Sequence, residues 1–132
     1  MNKTKVAVLG CGFISEIHVS SYQRFVHDAE VVAVYSHHLD KAKAFAEHMG
    51  IPAYYDDVDR LLAETDCDIV DICLPNFLHH DACLKAAKAG KHVIIEKPLC
   101  LSIEEADEMI AACKENGKLL MYAEELCFAP KY

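Results

Sequence analysis

The stretch that most restricts the fold is Val6-Ala7-Val8-Leu9-Gly10-Cys11-Gly12-Phe13-Ile14-Ser15, near the start of the 132-residue chain. An unbroken apolar run of this length fits a strand buried on both faces. It meets Gly-x-Gly, and a helix-like pattern begins at once. A strand that turns so sharply into a helix leaves the helix's first N–H groups at the turn, where they can hold a phosphate. Gly10 permits the tight turn, and Gly12 leaves room for a pyrophosphate to approach the backbone. Ser15 stands where the third glycine of the dinucleotide fingerprint would be, and is small enough for close helix–strand packing. Taken alone, the turn is equally an ordinary glycine connection, so the rest of the chain decides.

The rest repeats the alternation. Strand-like apolar runs cover residues 5–9, 30–35, 53–55, 68–74, 92–96 and 118–123. Helical patterns lie between them. Over residues 13–26 the apolar set Phe13, Ile14, Ile17, Tyr22, Phe25 and Val26 follows helical spacing. Asp40 is the expected cap of a helix over 41–49 that stops at Gly50, and Asp56 or Asp57 caps a short one over 58–63. Residues 77–89 read as helix closed by Gly90, with Asn76 as a candidate cap. Ser102-Ile103-Glu104-Glu105 is a capping box, heading a helix with Ile103, Ala106, Met109, Ile110 and Cys113 on one face that ends at Asn116-Gly117. Strands that alternate with helices through parallel crossovers imply a doubly wound α/β sheet in a single domain.

Charge and composition remove several function classes. A net charge of −8 argues against nucleic acid or an anionic membrane surface as partner. No apolar run approaches the roughly 20 residues of a membrane-spanning helix, and the N-terminus shows no signal-peptide pattern, so a cytoplasmic location is expected. The seven cysteines include no Cys-x-x-Cys pair and lie mostly in apolar runs, so they read as reduced thiols rather than a disulfide or zinc framework. Neither His37-His38 nor His79-His80 comes with the spacing of a metal-ligand set, and no metal is expected.

Ligands of doubly wound sheets bind beyond the carboxyl ends of the strands, which makes the strand ends the candidate site. Ser36 occupies the place, roughly 20 residues past the glycine turn, where an Asp or Glu would hold the ribose hydroxyls of NAD. Without that anion a 2′-phosphate is not repelled, and His37, His38 or Lys41 offers a donor or a charge; NAD and NADP both stay open. Leu74-Pro75-Asn76 ends the fourth strand, with Asn76 either a helix cap or an amide beside the nicotinamide ribose. Glu96-Lys97-Pro98 ends the fifth. Two ionisable residues closing an apolar strand suit a cleft, where Lys97 can hydrogen-bond a substrate hydroxyl or carbonyl and Glu96 can orient that lysine or the cofactor ribose.

Gly10-x-Gly12-x-Ile14-Ser15, Leu74-Pro75-Asn76-x-x-His79 and Glu96-Lys97-Pro98, in that order and spacing, resemble the N-terminal domain of the Gfo/Idh/MocA family, the oxidoreductases related to glucose–fructose oxidoreductase and inositol dehydrogenase. The resemblance extends to Gly50-Ile51-Pro52 and Phe128-Ala129-Pro130. It implies a Rossmann-type fold over residues 1–123, with 124–132 beginning the connection to a C-terminal substrate domain absent from this chain. It further implies an NAD(P)-dependent dehydrogenase or reductase acting on a sugar, polyol or related hydroxyl compound, homo-oligomeric at full length and inactive as this piece. By the same resemblance Phe13 and Ile14 lie beside the pyrophosphate and Ser36 and His37 near the adenosine ribose. Asn76, His79 and Glu96 line the nicotinamide side, Leu74 and Pro75 also belong to the cofactor site, and Lys97 meets the substrate hydroxyl. One departure is Glu125-Leu126-Cys127, where many members carry an Asn-Arg-Arg-like run; it points to a different substrate edge. Two alternatives remain beside the dehydrogenase. An NAD(P)-sensing regulator of the same fold would have no use for Lys97. A methyltransferase using S-adenosylmethionine would want an acid where Ser36 stands.

Overall fold

The computed structural model describes residues 2–124. Six strands form one all-parallel sheet in the order β3-β2-β1-β4-β5-β6. They are β1 (Thr4–Leu9), β2 (Ala29–Tyr35), β3 (Ala53–Tyr55), β4 (Ile69–Ile72), β5 (His92–Glu96) and β6 (Leu120–Ala123). Five helices connect them: α1 (Phe13–Phe25), α2 (Leu39–Met49), α3 (Val58–Glu64), α4 (His79–Lys88) and α5 (Ile103–Glu115). This is the doubly wound Rossmann order, whose strand sequence reverses between β1 and β4 and opens a crevice there.

Alternation along each strand feeds two cores. Val6 and Val8 of β1 and Val31 and Val34 of β2 pack with Val19 of α1 and Phe45 and Ala46 of α2. On the other face Ala7, Leu9, Val70, Ile72, Val93 and Ile95 meet Leu61 of α3, Ala82, Cys83, Ala86 and Ala87 of α4 and Met109, Ala112 and Cys113 of α5. Burial on both faces explains why these strands are continuously apolar. A bulge in β2 shifts the register between Val6–Val31 and Ala7–Ala33, so that Val31 and Val34, three apart, share a face.

Several local expectations hold. Asp57 caps α3, accepting the Arg60 N–H at 2.9 Å, and Gly50 ends α2 in the left-handed conformation at φ +70°. Ser102 accepts the Glu105 N–H at 3.1 Å, and Glu105 reaches back to the Leu101 N–H at 2.9 Å. Others are corrected. His38, not Asp40, is the N-cap residue of α2, and Asp40 lies inside its first turn. Residues Asn76–Leu78 form a separate 3₁₀ turn before α4, opened by Pro75 and closed by the Leu78 N–H to Pro75 O bond at 2.9 Å; Asn76 makes no side-chain cap.

The largest correction concerns which side of α1 faces the sheet. The apolar set read from its periodicity lies mostly outward: Phe13 is 77% exposed and Phe25 74%, with Ile14, Ile17 and Val26 exposed as well. The inward stripe is Ser15, His18, Val19 and Tyr22, spaced three and four apart. In α5, Met109, Ala112 and Cys113 are buried and Ala106 half-buried, whereas Ile103 and Ile110 face solvent. Residues 125–132, with the Glu125-Leu126-Cys127 and Phe128-Ala129-Pro130 segments, lie outside the described part of the chain.

Candidate active site at the carboxyl edge of the sheet

A cleft of about 460 Å³ opens over the carboxyl ends of β1, β2 and β4. Its walls hold eight of the strand-end candidates: Gly10, Gly12, Phe13, Ile14, Ser36, His37, Leu74 and Pro75. The turn between β1 and α1 is fastened on both sides, since Gly10 N donates to Tyr35 O at 2.8 Å and Cys73 N to Leu9 O at 2.8 Å. Gly10 has φ +119°, and a Cβ there would stand 2.6 Å from the Cys73 carbonyl oxygen and 3.0 Å from Ser15 Oγ. Only glycine fits. Ser15 is fully buried against this turn, filling the third-glycine position.

Gly12 is different. It is the N-cap of α1, with an ordinary φ of −88°, no side-chain cap, and open space where a Cβ would go. The first intrahelical bond is Glu16 N to Gly12 O at 3.2 Å, so the N–H groups of Phe13, Ile14 and Ser15 come before the helix's own hydrogen bonding begins. A backbone cradle left clear of side chains at a helix N-terminus suits a pyrophosphate, so the residues present fit a dinucleotide. At the far end of the cleft Ser36 Oγ accepts the His38 N–H at 3.3 Å, and the His37 and His38 rings meet edge to face at 5.1 Å. Cys11 lies between the two glycines, its thiol directed at Tyr35 O at 3.5 Å; burial pushes it up to about 11, so it remains a protonated donor.

Asn76, His79, Glu96 and Lys97 are not among the residues lining this cleft. Asn76 is exposed on the 3₁₀ turn, and Lys97 is exposed just beyond β5, ahead of a cis bond to Pro98. His79 is fully buried, with Nδ1 2.8 Å from Pro98 O and Nε2 2.8 Å from Leu74 O. It ties the Leu74-Pro75 strand end to the Lys97-Pro98 strand end. Glu96 is 8% exposed and divides its carboxylate: Oε2 accepts the Lys97 N–H at 3.0 Å, and Oε1 lies 2.8 Å from His18 Nε2.

That second contact opens a network that sequence reasoning missed. His18 Nδ1 lies 2.8 Å from Asp71 Oδ2, so the imidazole is held between two carboxylates on neighbouring strands. Tyr22 OH donates to Asp71 Oδ2 at 2.8 Å, and the Cys73 thiol to Asp71 Oδ1 at 3.6 Å. Burial opposes a charge on His18, but the hydrogen bonds and the field of Asp71 prevail and raise it to about 11. The geometry agrees, because only an imidazolium donates from both nitrogens. Burial, with the Asp71 charge, pushes the Tyr22 phenol upward, and burial lifts Cys73 to about 11 despite His18. His18, Asp71 and Cys73 stand close enough to suggest a metal site. However, the 2.8 Å between Nδ1 and Oδ2 is hydrogen-bond contact, shorter than the roughly 3.3 Å between two ligands of a tetrahedral ion bound at about 2.0 Å. The signal available in the sequence was Asp71, a carboxylate in the middle of an apolar strand, which cannot be buried without a partner.

With this geometry in view, comparison with known proteins is specific. Residues 4–124 match the model of the Gfo/Idh/MocA family, described as "Oxidoreductase family, NAD-binding Rossmann fold". The chain is 36% identical over 118 residues to D-glucoside 3-dehydrogenase of Escherichia coli (strain K12), covering 89% of this chain and 34% of that protein. It is 32% identical over 128 residues to the scyllo-inositol 2-dehydrogenase (NADP(+)) IolU of Bacillus subtilis (strain 168), covering 97% of this chain and 39% of the relative. Among solved structures, the WlbA dehydrogenase from Bordetella pertussis in complex with NADH and UDP-GlcNAcA superposes with a TM-score of 0.87 at 27% identity, over 92% of this chain and 37% of that one. The chain thus spans little more than a third of the length of these relatives. No helix among the described residues is long and apolar enough to cross a membrane. Matched by the family model along nearly all of its length, and folded as that model's description requires, the chain belongs to the Gfo/Idh/MocA oxidoreductase family and forms its NAD-binding Rossmann fold.

Proposed function

We propose that the chain is the cofactor-binding half of an NAD(P)-dependent oxidoreductase that moves a hydride to or from a sugar, polyol or related hydroxyl compound. The observation that carries this reading is the cleft at the β1/β4 reversal, with an uncapped helix N-terminus and an unobstructed Gly12 at its floor. The backbone from Gly10 to Ile14 holds the pyrophosphate, and Ser36 and His37 face the adenosine ribose. Leu74, Pro75 and Asn76 border the nicotinamide side. When bound, the nicotinamide supplies the hydride donor or acceptor. Lys97 donates a hydrogen bond to the substrate oxygen and favours the negative charge that develops on it as the carbon–hydrogen bond changes hands. His79 and Glu96 serve from behind the wall, holding the two strand ends that flank the reaction. The names of two relatives, a D-glucoside 3-dehydrogenase and a scyllo-inositol 2-dehydrogenase, support that compound class.

Titrating the chain with NADH, NADPH and S-adenosylmethionine tests the cofactor class by calorimetry. Binding of a dinucleotide is expected, and binding of S-adenosylmethionine alone would overturn the reading. In the full-length protein, Lys97→Ala should slow hydride transfer at least about 100-fold with little change in dinucleotide affinity. An unchanged rate across glucosides and inositols removes the role given to Lys97.

A further inference from the structure

We propose that His18 is a positioning residue: as an imidazolium clamped between Asp71 and Glu96, it fixes the carboxylate that holds the Lys97 backbone and so aims Lys97 toward the substrate. The proposal rests on the reading of Lys97 given above. It adds a residue on the first helix that does not line the cofactor cleft.

Each link in the chain of contacts is short and directional. Asp71 of β4 and Glu96 of β5 point to the α1 side of the sheet, because β4 and β5 pair in the register Asp71–Ile94 and Ile72–Ile95. The intervening Val70, Ile72, Val93 and Ile95 take the other face. Asp71 is fully buried, the Glu96 side chain 10% exposed and the His18 side chain 17%. Water therefore contributes little to holding Glu96 in place. Its Oε1 is fixed by His18 Nε2 at 2.8 Å, which leaves Oε2 aimed at the Lys97 N–H at 3.0 Å. His18 is fixed in turn by Asp71, itself held by Tyr22 OH at 2.8 Å. The groups facing His18 are Tyr22 from its own helix, Asp71 and Cys73 from β4 and the residue after it, and Glu96 from β5. Asp71 and Glu96 are acceptors toward the ring, and the Cys73 Sγ lies 3.5 Å from Nδ1. A neutral ring leaves one of the two carboxylates facing a lone pair; with the proton on Nδ1 that carboxylate is Glu96, which is then free to rotate and release the Lys97 amide. His79 anchors the same segment from the opposite direction, through Pro98 O. Lys97 thus sits between two histidine anchors, and only the His18 anchor reaches it through a carboxylate.

The test has two readouts. In the 132-residue chain, His18→Gln should make the Lys97 amide exchange with solvent about tenfold faster or more, the value of one hydrogen bond to a charged group, while the amides of β1 keep their protection. Tyr22→Phe, which removes one hydrogen bond to Asp71 and leaves both His18 contacts in place, should speed the Lys97 amide clearly less than His18→Gln does. Should His18→Gln not fold, Glu96→Gln keeps the side-chain volume and carries the same measurement. In the full-length protein, with NAD+ reduction followed on scyllo-inositol and a D-glucoside, His18→Gln should lower kcat about tenfold and hold NADH affinity within twofold. An unchanged Lys97 amide, an unchanged kcat, or a parallel loss of kcat and NADH affinity overturns the proposal. A wild-type protein with no hydride transfer on either probe overturns the oxidoreductase reading instead, and the amide exchange still judges the anchoring of the strand end by itself.

Discussion

The two glycines of the turn between β1 and α1 do separate jobs, and replacing each by alanine should separate stability from binding. At Gly10, an alanine must adopt φ +119°, which costs about 1–3 kcal/mol of backbone strain. Its Cβ also lands 2.6 Å from the Cys73 carbonyl oxygen, a backbone atom held by the β1–β4 pairing, and relieving that overlap costs about 1–3 kcal/mol more. Together these remove about 2–6 kcal/mol from a fold whose total stability is of the order of 5–15 kcal/mol. At Gly12, alanine meets nothing within 4 Å and keeps an ordinary φ of −88°. The poorer N-cap, about 0.5–1 kcal/mol, is offset by about 0.4–1 kcal/mol gained from a less flexible unfolded chain. Gly12→Ala should therefore unfold in urea within about 0.5 kcal/mol of wild type, yet lose NADH affinity at least about tenfold, because the methyl group enters the space the pyrophosphate needs. Urea midpoints with their slopes, and NADH fluorescence titration at a temperature where both variants are folded, read the two effects. A Gly12→Ala protein as unstable as Gly10→Ala, or one that binds NADH like wild type, refutes the division.

Two further outcomes follow from the same geometry. Ser36→Asp retains an acceptor for the His38 N–H and should fold normally; its charge, worth about 0.8 kcal/mol per unit-charge pair at ~5 Å in water and twice that against a dianionic 2′-phosphate, should lower NADPH affinity about tenfold and spare NADH in paired titrations. His18 gives the fold a pH signature: raised from 6.5 to about 11, it contributes stability that is complete below pH 6.5 and is lost as pH rises through about 11. Between those limits its share of the unfolding free energy should fall by up to about 1.4 kcal/mol per pH unit, so the stability gap between wild type and His18→Gln narrows from pH 7 to 10 in denaturant titrations, and a constant gap would contradict a charged His18.

The sheet and most of its edge were legible because they rest on local signals: apolar runs of strand length, Gly50, Asp57 and the Ser102 box each mark a boundary through a bond that the backbone itself makes. Three things were not. The 3₁₀ turn at Asn76–Leu78 depends on how Pro75 leaves β4, and the roles of His79 and Glu96 as anchors depend on contacts 19 and 78 residues away. The orientation of α1 failed for a more general reason. This helix carries two periodic stripes, Phe13-Ile17-Phe25 and Ser15-His18-Tyr22, and periodicity alone cannot rank them once the greasier one is assumed to be the core. The carboxylates rank them. Asp71 and Glu96 project from adjacent strands toward the side on which α1 lies, and a phenylalanine there would bury both without a partner. Turning His18 and Tyr22 inward satisfies them, and the cost is an apolar stripe of Phe13, Ile17 and Phe25 left facing solvent. The side of a helix that faces a sheet is therefore chosen by the most expensive group it has to neutralise, ahead of the most hydrophobic one it has to hide.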